Sequence, residues 1–384
     1  MSLTLAHPLV LPLFGPTPLL DFGPRELFIL PGAAYLYILA TRRNTRKRRA
    51  LLVGFVHYAT LLFWLDIAMN EFGGMPRYQS LSVLALLAGY LALFTMGLPP
   101  LAAWLAARVS VPRPLCFAAA VISLEWARTH ALTGFPWGLW GYSQARNLPL
   151  ANLAAWGGVY LVSACIAVAA AWTVDAARKR ASWTLLLLFL IGIHLLGALR
   201  LWNDTEQGKS LSVALLQGNI KQELKNQGVA SGPQIARVYK KLLDQAGDVD
   251  LAVWPESAWP YSLSLDSEFF TIDRDIGMVV GLVRRGRVED SRVAYNSSVY
   301  VSAGGRIEGG QHKLHLVPFG EYVPLRWLLP VEKFVPGMSD FSPGQRAAPV
   351  GPERVGVEIC YDGIFPSINR AHVTAGAELL ANLT

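Results

Sequence analysis

Charge is scarce in this 384-residue chain, and acidic charge above all: only 16% of residues are charged, and residues 1–203 hold six Asp and Glu against sixteen Lys and Arg. Soluble domains ordinarily carry about 25% charge. With 53% hydrophobic residues and a mean hydropathy of +0.34, the composition excludes a wholly soluble enzyme and points to a membrane. Cysteine is scarce too. Cys116, Cys165 and Cys360 cannot form a disulfide framework, and the first two lie in apolar segments as packing residues. No internal repeat, low-complexity tract or metal-spaced cluster is present; His312 and His315 stand three apart without a third ligand and read as turn residues, so no metal site is expected. The N-terminus has neither the basic start nor the small-residue cleavage site of a signal peptide, and Pro12 and Pro16 are too close together for a regular span.

The charge that is present is divided unevenly. Residues 1–203 carry net +10 and residues 204–384 net −3, so the basic balance belongs to the apolar half and gives no support to a nucleic-acid partner. Within that half, apolar segments recur at 27–41, 50–69, 80–107, 114–132, 150–176 and 182–203. Crossing the hydrocarbon core takes roughly 20 residues, so five of the six are long enough and the first is marginal. Lipid offers no hydrogen bonds to a backbone, which makes these segments helices.

Every second connection is basic: Arg42, Arg43, Arg46, Lys47, Arg48 and Arg49, then Arg108 and Arg113, then Arg178, Lys179 and Arg180. The positive-inside rule puts those loops in the cytoplasm, and the chain leaves its last span near Trp202 on the opposite face. Another loop reads Gly134-Phe135-Pro136-Trp137-Gly138-Leu139-Trp140-Gly141-Tyr142. Its aromatics either anchor the interface or line a lipid entrance. Glu125 and Arg128 before it are one helical turn apart and either pair with each other or contact substrate.

From about residue 211 the texture changes to short β-like runs at 212–217, 250–255, 277–283, 294–301 and 355–361, with a helical face spaced Ile235, Val238, Leu242, Leu243 between the first two. Strand, helix, strand is a βαβ order, and an α/β sandwich is the expected fold of a second domain. The run 355–362 reads as a strand ending on Cys360, with Gly363 placed to let the chain turn sharply and leave the thiol at the strand tip. An isolated cysteine there is most simply a buried small hydrophobe. Two other segments argue otherwise: Val253-Trp254-Pro255-Glu256-Ser257 ends a strand on an acid, and Lys313 precedes an apolar turn. A thiol becomes a nucleophile on losing its proton, its pKa falls beside an ammonium, and a nearby carboxylate can take that proton. Glu256, Lys313 and Cys360 thus supply base, cation and nucleophile, and Lys313 is also placed to hold an oxyanion.

These segments resemble the Glu-Lys-Cys triad of the nitrilase superfamily. Val253 to Ser257, the run His312-Lys313-Leu314-His315-Leu316-Val317-Pro318-Phe319-Gly320-Glu321-Tyr322-Val323-Pro324, and Ile359-Cys360-Tyr361 are similar, in order and behind a membrane half, to the apolipoprotein N-acyltransferase family. The resemblance implies a polytopic helical membrane domain at 1–203 followed by an extracytoplasmic αββα nitrilase-like domain at 204–384. It assigns catalysis to Glu256, Lys313 and Cys360, a supporting carboxylate to Glu321, and substrate-binding or supporting places to Tyr361, Asp362 and Trp137, with no metal and no cofactor.

The implied reaction moves a fatty acyl chain from a phospholipid, through a cysteine thioester, to the N-terminal amine of diacylglyceryl-cysteine in an apolipoprotein, on the periplasmic face of a bacterial inner membrane. A membrane-anchored amidase of the nitrilase type and an inactive truncated homologue are the alternatives. The sequence departs from the family pattern at four places, the first being the N-terminus, where the family starts with a full membrane helix and this chain's first helix is expected to be degenerate or cut short. Asp362 stands where many relatives have glutamate, Lys225-Asn226 where a tryptophan is usual, and the resemblance ends at Thr384 where the family continues, so that the catalytic domain is expected to be incomplete at its C-terminus.

Overall fold

The computed structural model describes residues 29–41, 46–203, 208, 210–221, 224–225, 228–272, 274–323 and 340–384. The proline-bearing stretch at 9–16, residues 42–45 of the first basic loop, and Asn226 lie outside them. The chain divides into two compact units, Met1–Gln207 and Gly208–Thr384.

The first unit is helical: α1 Ile29–Ala40, α2 Arg46–Leu61, α3 Trp64–Ile67 running into a π turn at Ala68–Phe72, α4 Arg77–Arg108, α5 Arg113–His130, α6 Leu148–Ala151, α7 Ala154–Ala177 and α8 Trp183–Trp202. Among the described residues α4, α7 and α8 are long and apolar enough to cross a membrane, and α2 with α3, bent by 47°, make a fourth if taken as one span. By length and composition, three or four of the five long spans expected from hydropathy qualify. The segment at 114–132 forms α5, but its eighteen residues include Arg113, Glu125 and Arg128, and α1 has only twelve residues.

The unit's burial pattern suits lipid. On α8, Leu188 (58% exposed), Ile191 (53%) and Leu195 (55%) face outward, while Asp66, Glu125, Arg128 and Asp175 are buried. Each buried charge has a partner: Asp66 accepts from Ser80 and pairs with Arg77, and Asp175 accepts from the Tyr37 hydroxyl at 2.6 Å. Glu125 and Arg128 hold the aromatic loop. Glu125 Oε1 accepts from the Trp140 amide at 2.6 Å, and Arg128 Nη1 donates to the Trp137 carbonyl at 2.8 Å.

The second unit contains β1 Val213–Leu215, α9 Gly232–Gln245, β2 Leu251–Val253, β3 Leu263–Ser264, β4 Gly277–Val288, β5 Ser291–Val301, β6 Ile307–His312, β7 Val355–Ile359, α10 Pro366–Thr374 and β8 Leu379–Leu383. One sheet runs β1-β2-β4-β5-β6 with β3 beside β4, and β7 pairs with β8 in a second. β1, β2 and β4 are parallel; β4 and β5 form a long antiparallel hairpin. It turns at Glu289 (φ 46°) and Asp290 (φ 62°), two left-handed residues that match the twist of the strands. β3, β6 and β8 are strands that sequence patterning did not give.

Side-chain alternation builds the layers. Ala252, Trp254, Met278, Val280 and Val299 pack on Ile235, Tyr239 and Leu243 of α9. Leu251, Val253, Val279 and Tyr300 on the opposite face pack on Val355, Val357 and Ile359 of β7 and Leu383 of β8. α10 covers the far side of β7, where Gly356 gives room for His372; a Cβ at Gly356 would lie 2.9 Å from that of His372. The order is helix, sheet, sheet, helix, with apolar burial worth about 25 cal/mol per Å² holding the layers together.

Candidate active site

Three segment ends meet in the second unit. Glu256 follows β2 after Trp254-Pro255; Lys313 follows β6; Cys360 follows β7 and opens a 3-10 turn, Cys360–Ile364. Ser257 (φ 49°), Phe319 (φ 62°) and Cys360 (φ 52°) all adopt the left-handed conformation that residues with a Cβ avoid. Such strain gathers where a side chain must be aimed. The turn after β7 is thus made by Cys360 itself, whereas Gly363 was expected to make it. Gly363 is needed for room: a Cβ there would lie 2.3 Å from the Asn382 amide.

The Lys313 side chain is 1% exposed, with Nζ 3.4 Å from Glu256 Oε1 and 3.0 Å from the Glu321 carboxylate. Burial alone would lower its pKa, but the charges of Glu256, Glu321 and Cys360 outweigh burial and raise it, so the ammonium persists. Asn296 of β5 completes the group. Its Nδ2 donates to Glu256 Oε1 at 2.7 Å and to Glu321 Oε1 at 2.8 Å, tying together two carboxylates that would otherwise repel. Glu321 Oε2 accepts from the Val317 amide at 2.8 Å, which fixes the turn between Lys313 and Glu321.

Cys360 hydrogen-bonds to Glu256, and its thiol is pushed up to about 12 by burial and then by the Glu256 charge, against the opposing pull of Lys313. No net fall occurs, because burial, the largest effect, and then the Glu256 charge outweigh the lowering by Lys313. The resting sulfur is therefore a thiol aimed at a base.

Asp362, fully buried, accepts from the amides of Leu314 (3.2 Å), His315 (2.7 Å) and Ile359 (3.2 Å). It ties the Lys313 loop to the cysteine turn, and burial holds its carboxyl at about 6 despite those bonds. Tyr361 packs edge-on to Phe365 at 5.2 Å and lies 5.6 Å from His315, whose ring stacks on Phe365 at 3.9 Å. Behind the turn, Glu358 is buried on the α10 side, and burial followed by the Asp362 charge lifts it to about 7. Trp137 belongs to the first unit, where it packs 5.1 Å from Trp64. His312, expected in a turn, ends β6 instead, where it stacks on Tyr295 at 4.2 Å and bonds Ser297 at 2.8 Å.

Glu256, Lys313, Glu321 and Cys360 are thus brought together, with Asp362 beside them. Asn296 was missed. Its one signal was the polar run Asn296-Ser297-Ser298 inside an otherwise apolar strand. A carboxylate on a thiol, with an ammonium on the same carboxylate, can take the thiol proton and steady an oxyanion, which suits acyl transfer.

Residues 18–172 match the family described as apolipoprotein N-acyltransferase N-terminal domain, and residues 212–384 match carbon-nitrogen hydrolase. The chain is 35% identical to the apolipoprotein N-acyltransferase of Geobacter metallireducens, over 91% of this chain and 71% of that one. It is 32% identical to that of Vibrio cholerae, over 100% and 80%, and 32% identical to that of Pseudomonas putida, over 96% and 76%. Among solved structures, a carbon-nitrogen hydrolase from Helicobacter pylori G27 is 18% identical with a TM-score of 0.30, covering 45% of this chain and 59% of its own. A Saccharomyces cerevisiae member of the nitrilase superfamily is 19% identical with a TM-score of 0.33, covering 46% and 67%.

Proposed function

This chain belongs to the apolipoprotein N-acyltransferase family, and from that premise we propose that Cys360 carries the acyl group which the enzyme moves from a phospholipid to the amine of an apolipoprotein. The observation that carries this reading is the cluster in which one carboxylate, Glu256, bonds the thiol, the Lys313 ammonium and the Asn296 amide.

In the first half-reaction the Cys360 sulfur attacks the ester carbonyl while its proton passes to Glu256, and Lys313 faces the oxyanion. The tetrahedral intermediate collapses, the ester C–O bond breaks, and Glu256 returns the proton to the departing lysophospholipid alkoxide. In the second, the neutral α-amine of diacylglyceryl-cysteine attacks the thioester, Glu256 takes the amine proton, the C–S bond breaks, and that proton ends on the sulfur. Because the resting thiol is held protonated, each half passes one proton through Glu256, the thiol's in the first and the amine's in the second. Glu321, Asn296 and Asp362 act as positioning residues: the first two set the Glu256 and Lys313 groups, and Asp362 sets the Lys313 loop against the cysteine. An amidase reading is not favoured, since the named relatives are acyltransferases.

The basic connections at Lys47-Arg48-Arg49, Arg108 to Arg113 and Arg178 to Arg180 lie in the cytoplasm under this reading, and the second unit on the outer, periplasmic face of a bacterial inner membrane. That alternation requires α5 to cross as well, its Glu125 and Arg128 being turned inward away from lipid. Both substrates are lipids confined to one leaflet, which lowers the entropic cost of their meeting.

The test is mass spectrometry of the protein after incubation with phospholipid alone. An acyl adduct on Cys360, lost in Cys360→Ala, is the expected result. Folded protein that carries no adduct, or carries it elsewhere, overturns the assignment.

A further inference from the structure

The two faces of the β4–β5 hairpin differ. Met278, Val280 and Leu282 of β4, with Val299 of β5, pack toward α9. The opposite face starts in the core with Val279 and Tyr300 and then passes the catalytic cluster. There a Cβ at Gly281 would lie 3.0 Å from the Glu256 Cα, and Asn296, paired opposite Val283, donates to Glu256 and Glu321. Val283 and Ala294 come next, against Leu316, Tyr322 and Phe341. Strand alternation then puts Arg285 and Arg287 of β4 and Arg292 of β5 on the same face, all of them exposed. From Asn296 to Arg292 is roughly 13 Å along the strand.

Arg287 and Arg292 stand directly opposite each other. The hairpin turns through Glu289 and Asp290, so Val288 and Ser291 close it and the arginines form the next pair, of the kind without mutual backbone bonds, whose side chains come closest. Like charges so placed destabilise a hairpin, and the surrounding domain is not basic, since residues 204–384 carry net −3. No ion pair or hydrogen bond engages the three side chains among the described residues, and neither Glu289 nor Asp290 of the turn neutralises them. Arg284, on the α9 face, is by contrast spent on the carbonyls of Ser264 and Leu265. A repelling pair beside a third guanidinium is relieved by an anion, and the guanidinium fork matches the paired oxygens of a phosphodiester.

We propose that Arg285, Arg287 and Arg292 form the headgroup subsite for the acyl donor, holding the phosphate of a phospholipid whose ester carbonyl lies at Cys360. This rests on the acyl-transfer reading given above. One strand serves both ends of such a lipid. Asn296 positions the base that works on the ester, and Arg292 stands farther out on the same face, at a separation that a glycerol linker and an arginine side chain bridge together. The subsite reads the phosphate that phospholipids share and leaves the group beyond it unread.

Acylation of Cys360 in the full chain, in detergent micelles, tests this by mass spectrometry, with phosphatidylglycerol and diacylglycerol of the same acyl chains as donors. Arg287→Gln combined with Arg292→Gln is expected to raise the half-saturating phosphatidylglycerol concentration about tenfold, to the level of diacylglycerol. Because the pair repels, its removal should not lower the thermal midpoint; Arg285→Gln, which keeps the opposed pair, should give a rise of about threefold. A shift under about twofold in the double variant, or a wild type that uses both donors at equal concentration, overturns the subsite. A second readout needs no turnover. Phosphatidylglycerol with a photoreactive headgroup, added to Cys360→Ala, should cross-link within residues 285–292, and about tenfold less in the double variant. Cross-linking there with no adduct on Cys360 in the wild type supports the phosphate site and refutes the acyl-transfer reading. An adduct on Cys360 without cross-linking there overturns the subsite alone. Inorganic phosphate that displaces the cross-link as well as the lipid does would mark a site for free phosphate and overturn the assignment equally.

Discussion

The two units bury opposite things. In the first, leucine and isoleucine face outward and Asp66, Glu125, Arg128 and Asp175 lie inside; in the second, valine, leucine and tryptophan fill the interior, and the buried lysine and acids, Lys313, Glu358 and Asp362, gather around the cysteine turn. The difference follows from the solvent each unit meets. Lipid is as apolar as leucine and gives helices no hydrophobic reason to associate, so polar contacts and close packing hold the bundle. Water does drive burial in the second unit, and a buried charge there is an expense tolerated where chemistry needs it.

The largest expected effect probes that concentration of charge. Asp362→Ala removes the acceptor for the Leu314, His315 and Ile359 amides and frees the Lys313 loop from the cysteine turn. Transfer should fall by about a hundredfold, in kcat rather than KM, with Cys360 still present; single-turnover kinetics on folded protein check this, and a loss confined to KM would break the comparison.

Next comes the same substitution made in both units. Ile191→Arg on α8 puts a charge toward lipid and should cost about 2.5–3.5 kcal/mol of insertion free energy. Phe269→Arg, at a site 63% exposed in the second unit, should change stability by about 0.5 kcal/mol or less. Membrane-insertion assays and thermal unfolding give the two values, and equal costs would contradict the outward face assigned to α8.

Smaller again is the effect of Glu358. Its carboxyl is raised from 4.5 to about 7, so the fold favours its protonated form. That contribution is fully present below the unfolded value and is lost as pH rises through about 7. Glu358→Gln imitates the protonated acid and should leave stability unchanged near pH 4 while raising it at pH 8, by about 3 kcal/mol at most. Thermal unfolding across pH checks the sign; a variant less stable than wild type at pH 8 would mean that Glu358 is needed as an anion.

How much of this could be read in advance differs between the units. Glu256, Lys313 and Cys360 were legible because each sits just after a strand end within a local motif, and Glu321 through the resemblance of the run that follows Lys313. Asn296 was not, since it reaches the site from mid-strand through pairing with β4 and β6 that no local window records. The role of Asp362 was hidden for the same reason: its partners Leu314 and His315 are remote in sequence. Hydropathy found every described α-helix of the apolar half longer than four residues, but composition alone does not report that Glu125 and Arg128 of α5 turn inward. The direction of the Cys360 shift was misjudged from types alone; Lys313 pulls the thiol down, but burial and then the Glu256 charge outweigh it.

The most direct test of the central claim is the fate of the acyl group on Cys360. Protein loaded from phospholipid is chased either with buffer or with a diacylglyceryl-cysteine peptide bearing a free amine, and the adduct is followed by mass spectrometry. The expected result is an adduct that persists in buffer and discharges to the peptide as an amide, with Glu256→Gln unable to complete the discharge. An adduct that decays to free fatty acid at the same rate with and without peptide would make the protein a hydrolase and contradict the account.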